Sequence, residues 1–293
     1  MVRIIDMECS IPKTEASQPE PGHDQEPTAA QPAGYGMANY SRIFRSRREG
    51  ADHRPDMGLD AYVATLGKLG IVRSVPFGIT NDEETTLLRR YPDRFIGLAR
   101  ISINAFKGMT GVRELERLVR EDGLCGLTAS TYRERLPGDD ARWYPLYAKC
   151  VELGIPVRIY SAMTYANDRP YDIGHPRHLD RVAVDFPELV IIAALGGWPW
   201  VSELAPLMLR HPNLYCDTAA HRPRTLTRPG SGWEMLLQLG NHRLQDKVMV
   251  GISSMTIGVA YETLLAEVLE LPLDDIVMEK WLYHNAARVL GIG

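Results

Sequence analysis

Two carboxylate side chains lie two residues apart close to the N-terminus of this 293-residue chain. Asp6 and Glu8 flank Met7 inside the segment IIDMECS, whose first residues are apolar. Side chains at positions i and i+2 of a β-strand point to the same face, so a strand here would present both carboxylates together. Two such groups can share a proton or act as general acid and general base. The spacing therefore predicts an acidic pair able to do proton chemistry.

Three further polar side chains follow later apolar runs. Tyr160 ends VRIY, Ser253 follows VMVGI, and His221 follows NLYCDTAA. The two hydroxyl groups could donate hydrogen bonds, and an imidazole titrates near neutral pH. Alternatively, these groups fill a cavity as a hydrogen-bonded network, because buried polar groups need partners, and we favour this interpretation. The candidate catalytic residues are Asp6, Glu8, Tyr160, His221 and Ser253.

Candidate binding residues lie near His221 and in the phrase GGWPW. Arg222 and Arg224 could bind an anionic substrate, although pairing with local acids is the alternative. Trp198 could form the wall of a pocket or part of an interface. The sequence contains no GxSxG, HExxH or P-loop motif, so the usual nucleophile and phosphate signatures are absent.

Short runs rich in Val, Ile and Leu alternate with amphipathic stretches of helical length. The predicted strands are Val2–Met7, Ile71–Phe77, Phe95–Ile101, Gly123–Thr128, Pro156–Ser161, Leu189–Leu195, Leu214–Asp217 and Lys247–Ile252. The predicted helices are Leu59–Leu69, Glu83–Arg90, Val112–Arg120, Trp143–Leu153, His178–Asp185, Val201–Leu209, Trp233–Leu239, Tyr261–Leu269 and a last helix near Asp274–Leu290. This alternation predicts an α/β fold, a (β/α)8 TIM barrel. A doubly wound open sheet is the alternative, although no GxGxxG loop follows the first strand.

Residues 12–55 interrupt this pattern with PEPGHDQEPTAAQPAGYG and the basic stretch RIFRSRREGADHR. We interpret residues 1–293 as a single barrel domain with a long inserted loop after strand 1. That loop would leave the C-terminal face of the barrel, where active sites lie. The insertion is therefore predicted to be a lid, or else an arm that contacts another subunit. Its basic part, residues 42–54, would meet an acidic partner surface rather than nucleic acid.

The composition excludes several classes of protein. The chain has 33 basic and 37 acidic residues, a balance that argues against nucleic acid as the main partner. No apolar run reaches about 20 residues, and the first residues do not resemble a signal peptide. The four cysteines lie far apart, which indicates reduced, buried thiols in a cytoplasmic protein.

Several phrases, in order along the chain, resemble the amidohydrolase-related branch of the amidohydrolase superfamily, which includes decarboxylases and hydrolases. They include IIDMECS, ELGIPVRIYS, FPELVIIAALGGWPW, HPNLYCDTAAHRPR, PGSGWEMLLQLG and KVMVGISSM. The resemblance covers almost the whole chain outside the insertion and implies a (β/α)8 barrel. The GWPW-type phrase is also similar to the subunits of the metal-dependent 2-aminoisobutyrate hydroxylase, which is built from two related chains.

The resemblance also implies a divalent metal bound by histidines after strands one, five and six and by an aspartate after strand eight. At these positions the present chain carries Glu8 and Ser10, Tyr160, Leu195 or Ala194, and Ser253. One carboxylate cannot offset the dehydration of a divalent ion, so we expect no metal at this site in this chain. The alternative is a displaced metal site formed by Glu8, Cys9, Cys216, Asp217 and His221.

The leading hypothesis combines the retained scaffold phrases with the missing ligands. The chain would be an amidohydrolase-fold subunit that supports a related chain, which carries Zn, Mn or Fe, in a hydroxylase- or hydrolase-type enzyme. One alternative is a metal-independent lyase or hydrolase acting on a small carboxylic acid. Another is a non-catalytic small-molecule binding module. The expected partners are the related subunit and a small molecule, with neither nucleic acid nor membrane.

Overall fold

The computed structural model describes residues 2–12, 32, 34–40, 58–105 and 108–292. Most of the insertion predicted between residues 12 and 55 lies outside these ranges, including the whole basic part, residues 42–54. For that part of the chain, the choice between lid and arm stays a prediction.

Eight parallel strands alternate with helices along the described chain. The strands are β1 Ile4–Ser10, β2 Ile71–Phe77, β3 Ala99–Arg100, β4 Leu127–Ala129, β5 Val157–Tyr160, β6 Ile191–Ala194, β7 Leu214–Asp217 and β8 Val248–Met249. Each predicted strand overlaps one of these, and β2 and β7 match their predictions residue for residue. The predicted α/β alternation is therefore confirmed.

The helices also fall where the apolar periodicity predicts them. They are α1 Leu59–Lys68, α2 Asn81–Arg90, α3 Met109–Arg120, α4 Thr131–Glu134, α5 Tyr144–Leu153, α6 Arg177–Asp185, α7 Val201–Arg210, α8 Pro223–Leu226, α9 Glu234–Gly240, α10 Ser254–Ile257, α11 Tyr261–Leu269, α12 Asp275–Glu279 and α13 Asn285–Val289. Local chemistry sets their ends: Thr80 and Glu83 form a capping box at the start of α2, and Gly154 ends α5 in the left-handed conformation. The single-turn helices α4, α8 and α10 were not predicted.

The strands follow one another around a ring in sequence order. β1 pairs with β2, and β3 to β8 form a second parallel sheet in that order. Backbone bonds join the two sheets at both seams: Ile96 N donates to Ser74 O over 2.9 Å, and Met7 N donates to Val250 O over 3.0 Å. This sequential order is that of the predicted (β/α)8 barrel, and the doubly wound alternative is wrong.

Apolar side chains fill both sides of the strand ring. The larger cluster packs strands against the surrounding helices and includes Leu115 and Leu118 of α3. A second cluster contains Ile5 and Met7 of β1, Ile192 of β6 and Met249 of β8, together with Val289 of α13. Strands β1 and β6 are not neighbours, so the strand residues of this second cluster lie within the ring. Among the described helices, none combines the length and apolar character that crossing a bilayer requires.

Replacing Gly251 by alanine should weaken the contact between the ends of β7 and β8. A Cβ atom there would lie 2.8 Å from Cα and 2.9 Å from N of Ala219, which are backbone atoms that cannot rotate away. We expect Gly251→Ala to lower the free energy of unfolding by roughly 1–3 kcal/mol in urea denaturation.

The matched control is Gly67→Ala in α1, where the new Cβ would meet only the guanidinium of Arg94, at 3.3 Å. This change should leave stability unchanged or raise it by up to about 1 kcal/mol, because alanine is the better helix former. A Gly251→Ala variant as stable as the wild type would contradict the close approach of the two strands.

Candidate functional site

A cavity of about 940 Å³ opens at the carboxyl ends of the strands. Its lining comes from the ends of β1, β2, β4, β5 and β6 and from the loops after β7 and β8. The single-turn helices α4, α8 and α10 contribute Tyr132, Thr225 and Thr256. The carboxyl ends of parallel strands are where barrels of this kind place their ligands, so this cavity is the candidate site.

At the centre of the site, a buried guanidinium lies between two carboxylates. Arg158 of β5 donates from Nε to Asp217 Oδ2 over 2.7 Å and from Nη2 to Glu8 Oε2 over 3.1 Å. Nη2 also donates to Asp217 Oδ1 over 3.2 Å. The exposed fraction of these three side chains is 6% or less. Glu8 lies in β1 and Asp217 ends β7, so one arginine joins three strands across the barrel interior.

Three non-glycine residues with left-handed backbone surround these carboxylates: Leu195 at φ 63°, Ala220 at 60° and Ser253 at 49°. Leu195 N donates to Asp217 Oδ1 over 3.0 Å, and Ala220 N donates to Ser253 Oγ over 2.8 Å. Ser253 Oγ in turn donates to Glu8 Oε1 over 3.0 Å. Each such conformation costs roughly 1 kcal/mol or more, and strain of this kind collects at functional sites.

Burial and the attraction between opposite charges shift the pKa values of Glu8 and Arg158 in opposite directions. Burial raises the pKa of the Glu8 carboxyl, and the Arg158 guanidinium opposes that rise. Burial also acts to lower the pKa of Arg158, but Asp217 and Glu8 outweigh this and raise it above its ordinary value. The arginine is therefore a permanent cation at the base of the cavity.

Asp6 has a separate environment from Glu8, which corrects the predicted pair. Its Oδ1 accepts from Ile252 N over 2.8 Å and from Glu8 N over 3.0 Å, and its Oδ2 accepts from Tyr261 Oη over 3.1 Å. Glu8 lines the cavity and Asp6 does not. The register of β1 on β2 shifts between Asp6 and Cys9, so simple alternation does not hold there. Burial raises the pKa of Asp6 to about 7.

Ser253, like Asp6, does not line the cavity; it lies behind Glu8 as its hydrogen-bond donor. Tyr160 does line the cavity, and its hydroxyl donates to Met163 O over 3.0 Å. Burial raises the pKa of Tyr160 well above its ordinary value, so the phenol stays protonated. Of the five predicted catalytic residues, Glu8, Tyr160 and His221 line the cavity, whereas Asp6 and Ser253 do not.

Residues 34–40, which belong to the insertion, pack against the cavity. The Tyr40 hydroxyl lies 3.2 Å from that of Tyr160 and 3.0 Å from Thr164 Oγ1, and Tyr40 itself lines the cavity. Gly36 N donates to Asn167 Oδ1 over 2.7 Å, in the loop after β5. Residues 34–40 thus supply part of the cavity wall.

Aromatic side chains form another wall of the cavity. The His221 ring lies 5.8 Å from Trp198 and 5.0 Å from Trp233, measured between ring centroids. Gly196, at φ 59°, allows this arrangement, because a Cβ there would lie 2.2 Å from the Trp233 ring. The phrases GGWPW and GSGW therefore meet in space, and Trp198 is a wall of the pocket.

Basic side chains dominate the charged part of the lining. Arg222 pairs with Glu267 through Nη2–Oε1 at 2.8 Å and Nε–Oε1 at 3.0 Å, and Arg224 N donates to Glu267 Oε2 over 3.4 Å. The local pairing considered for Arg222 is therefore present. The only acidic residue among the described lining residues is Glu8, whereas the arginines of the lining are Arg133, Arg158, Arg222, Arg224 and Arg228.

Sequence reasoning did not single out Arg158. A signal for it was available, because VRIY places one charged residue between the apolar residues Val157 and Ile159 of a predicted buried strand. A buried charge needs a partner of opposite sign, and acidic residues end two other strands.

These side chains do not fit a divalent metal. Both carboxylates at the centre already pair with the Arg158 guanidinium, which a second cation would face at close range. Within the described ranges, no three His, Cys, Asp or Glu side chains come close enough together to hold a metal ion. In the displaced set, Glu8 and Asp217 are the same two carboxylates that pair with Arg158.

Removing the buried Asp6 charge should flatten part of the pH dependence of stability. A carboxyl whose pKa is raised from 3.8 to about 7 on folding contributes stability that is full below pH 4 and is lost as the pH rises through 7. Between pH 5 and 8 we expect wild type to lose roughly 2–3 kcal/mol relative to Asp6→Asn, measured by urea denaturation.

Asparagine can still accept the two backbone hydrogen bonds through Oδ1, so Asp6→Asn should fold. Asp93→Asn, at a carboxylate that is 90% exposed, is the control and should follow the wild type. If the stability of wild type and of Asp6→Asn changed with pH in the same way, the raised pKa of Asp6 would be contradicted.

Several solved structures share this barrel architecture. The chain is similar to an uncharacterised TIM-barrel protein from Bordetella bronchiseptica, with a TM-score of 0.76, 23% identity and 99% of both chains covered. It is similar to 5-carboxyvanillate decarboxylase from Novosphingobium aromaticivorans, solved with manganese and 4-hydroxy-3-methoxy-5-nitrobenzoic acid, with a TM-score of 0.67, 14% identity and coverage of 99% and 96%. For 2,6-dihydroxybenzoate decarboxylase from Rhizobium the TM-score is 0.64, the identity 16% and the coverage 100% and 99%.

At 14–23% sequence identity, the likeness to solved structures shows the fold alone, and that fold is the (β/α)8 barrel described here. A search of curated proteins finds no match. The sequence profile described as Amidohydrolase matches residues 19–292, nearly the whole chain. With its eight sequential parallel strands and a cavity at their carboxyl ends, this chain belongs to the amidohydrolase family.

Proposed function

We propose that this chain binds a small carboxylic acid in the cavity without a divalent metal of its own. The observation that carries the proposal is the Arg158 guanidinium, which pairs with Glu8 and Asp217 at the base of the cavity. A fixed cation there can meet an anionic ligand without a metal ion.

Charge and size of the cavity agree with this ligand class. The described lining residues include five arginines and one acid, and the volume of about 940 Å³ lies within the range of small-molecule pockets. The wall of Trp198, His221 and Trp233 offers faces to a flat ligand. Two structurally similar proteins are named as decarboxylases of aromatic acids, which supports an acid as ligand.

Glu8 is the lining group best suited to move a proton. It is the acidic residue of the lining, and Ser253 and Arg158 hold its two oxygens. A metal-independent lyase or hydrolase step on the bound acid would use Glu8 as general base, with the neutral phenol of Tyr160 or the His221 imidazole as donor. Without such a step, the chain is a binding module.

Small carboxylic acids should raise the melting temperature in buffer that contains EDTA. At a ligand concentration about 100 times the Kd, mass action adds about 2.7 kcal/mol, or several degrees for a chain of this size. The measurement is a thermal-shift screen of acids against their amides. Stabilisation that disappears with EDTA and returns with Zn, Mn or Fe would contradict the proposal.

The same screen separates an enzyme from a binding module. An acid consumed in EDTA, with turnover reduced at least about 100-fold by Glu8→Gln, would make Glu8 a catalytic residue. Glu84→Gln is the matched control, because Glu84 is a second fully buried carboxylate paired with an arginine, outside the cavity. An acid that binds but is not converted would indicate a binding module without catalysis.

A second candidate function is that of a supporting subunit. The chain has a complete barrel and an open cavity, yet its centre is organised around an arginine. Such a chain could shape the site of a related chain that carries Zn, Mn or Fe, in a heteromeric enzyme of hydroxylase or hydrolase type. The resemblance to the two-chain 2-aminoisobutyrate hydroxylase motivates this proposal.

Co-expression with a related, metal-bearing amidohydrolase-fold chain tests the second candidate. We expect the two chains to co-purify, the present chain to be inactive alone, and the pair to exceed the activity of the metal-bearing chain. Size-exclusion chromatography with metal analysis and activity assays would measure this. Full activity of the metal-bearing chain by itself would rule the supporting role out.

A further inference from the structure

One nitrogen of the Arg158 guanidinium is not used by the ion pairs. Its three hydrogen bonds run from Nε and Nη2 to Asp217 and Glu8. Within the described ranges, Nη1 donates no hydrogen bond. Arg158 lines the cavity although its side chain is only 6% exposed, and Nη1 is its one nitrogen left to donate to a ligand there.

A second donor lies beside it. Thr128 of β4 is the register partner of Arg158, and it also lines the cavity. In the described part of the chain, the Thr128 hydroxyl likewise has no hydrogen-bond partner. Neighbouring strands lie about 4.8 Å apart, so donors on two register partners are close enough to share one carboxylate.

From this geometry we infer that Arg158 Nη1 and Thr128 Oγ1 form the carboxylate-binding subsite of the cavity. The inference rests on the proposed function and names the atoms that would recognise the acid. Glu8 and Asp217 hold the plane of the guanidinium, so its third edge is presented to the ligand without reorganisation. Arg158 is then a specificity residue, in addition to joining three strands.

The subsite is buried, which strengthens the contact. A charge-assisted hydrogen bond is stronger where water is excluded, and the side chains around Arg158 are almost fully buried. The carboxylates of Glu8 and Asp217 oppose a third anion. The other four arginines of the lining add positive charge, part of which Glu267 neutralises through Arg222 and Arg224.

A merely structural arginine and a ligand-binding arginine make different predictions about selectivity. Arg158→Lys keeps the charge between Glu8 and Asp217 but removes the planar third edge. We expect it to weaken benzoate binding at least about tenfold while benzamide binding changes by no more than about twofold, measured by isothermal titration calorimetry. A structural role would alter stability and leave the preference for acid over amide as it is.

Arg100→Lys is the matched control. Arg100 is also a strand arginine ion-paired with a fully buried carboxylate, that of Glu84, and it does not line the cavity. This variant should keep the benzoate preference of the wild type. Thr128→Val should lower benzoate affinity several-fold, because it removes the hydroxyl and keeps the shape.

A structure of the wild-type chain with benzoate keeps the test independent of variant folding. The expected result is a carboxylate oxygen about 2.7–2.9 Å from Arg158 Nη1. A carboxylate bound at the other lining arginines instead, or an unchanged acid preference in Arg158→Lys, would overturn the subsite and leave the proposed function standing. No benzoate or other acid bound by the wild type would overturn both.

Discussion

The ion pairs of Arg158 with Glu8 and Asp217 are the interaction on which the rest of the site depends. They join β5 to β1 and β7 across the barrel and set the charge at the base of the cavity. Buried ion pairs seldom add net stability, because the cost of desolvation matches the attraction. The three groups are almost fully buried, and the two carboxylates hold the guanidinium in one orientation at the base of the cavity.

The backbone around this centre also helps to hold the two carboxylates in place. Leu195, Ala220 and Ser253 adopt left-handed conformations, and their N–H or hydroxyl groups bind Asp217, Ser253 and Glu8. The strain is held by a barrel whose two apolar clusters lie on both sides of the strands. A rigid scaffold with local strain at its carboxyl end is typical of a preorganised site.

Two separate phrases of the sequence, GGWPW and GSGW, meet in the aromatic wall of the cavity. Gly196 in GGWPW leaves room for Trp233 in GSGW, and His221 lies between Trp233 and Trp198. These residues shape a cavity that faces the Arg158 centre. The centre of this barrel is organised around the Arg158 guanidinium.

The sequence by itself determined the fold, because the alternation of apolar strands and amphipathic helices is a local pattern that can be recognised along the chain. It also indicated Glu8, Tyr160, Trp198 and His221, which line the cavity. It could not reveal that Arg158 binds Glu8, 150 residues away, or that Asp6 lies behind the cavity. Only the closed barrel decides which strand ends meet, and a register shift in β1 decides which carboxylate faces inward. Charge pairing across a barrel depends on these long-range distances, and no local periodicity records them.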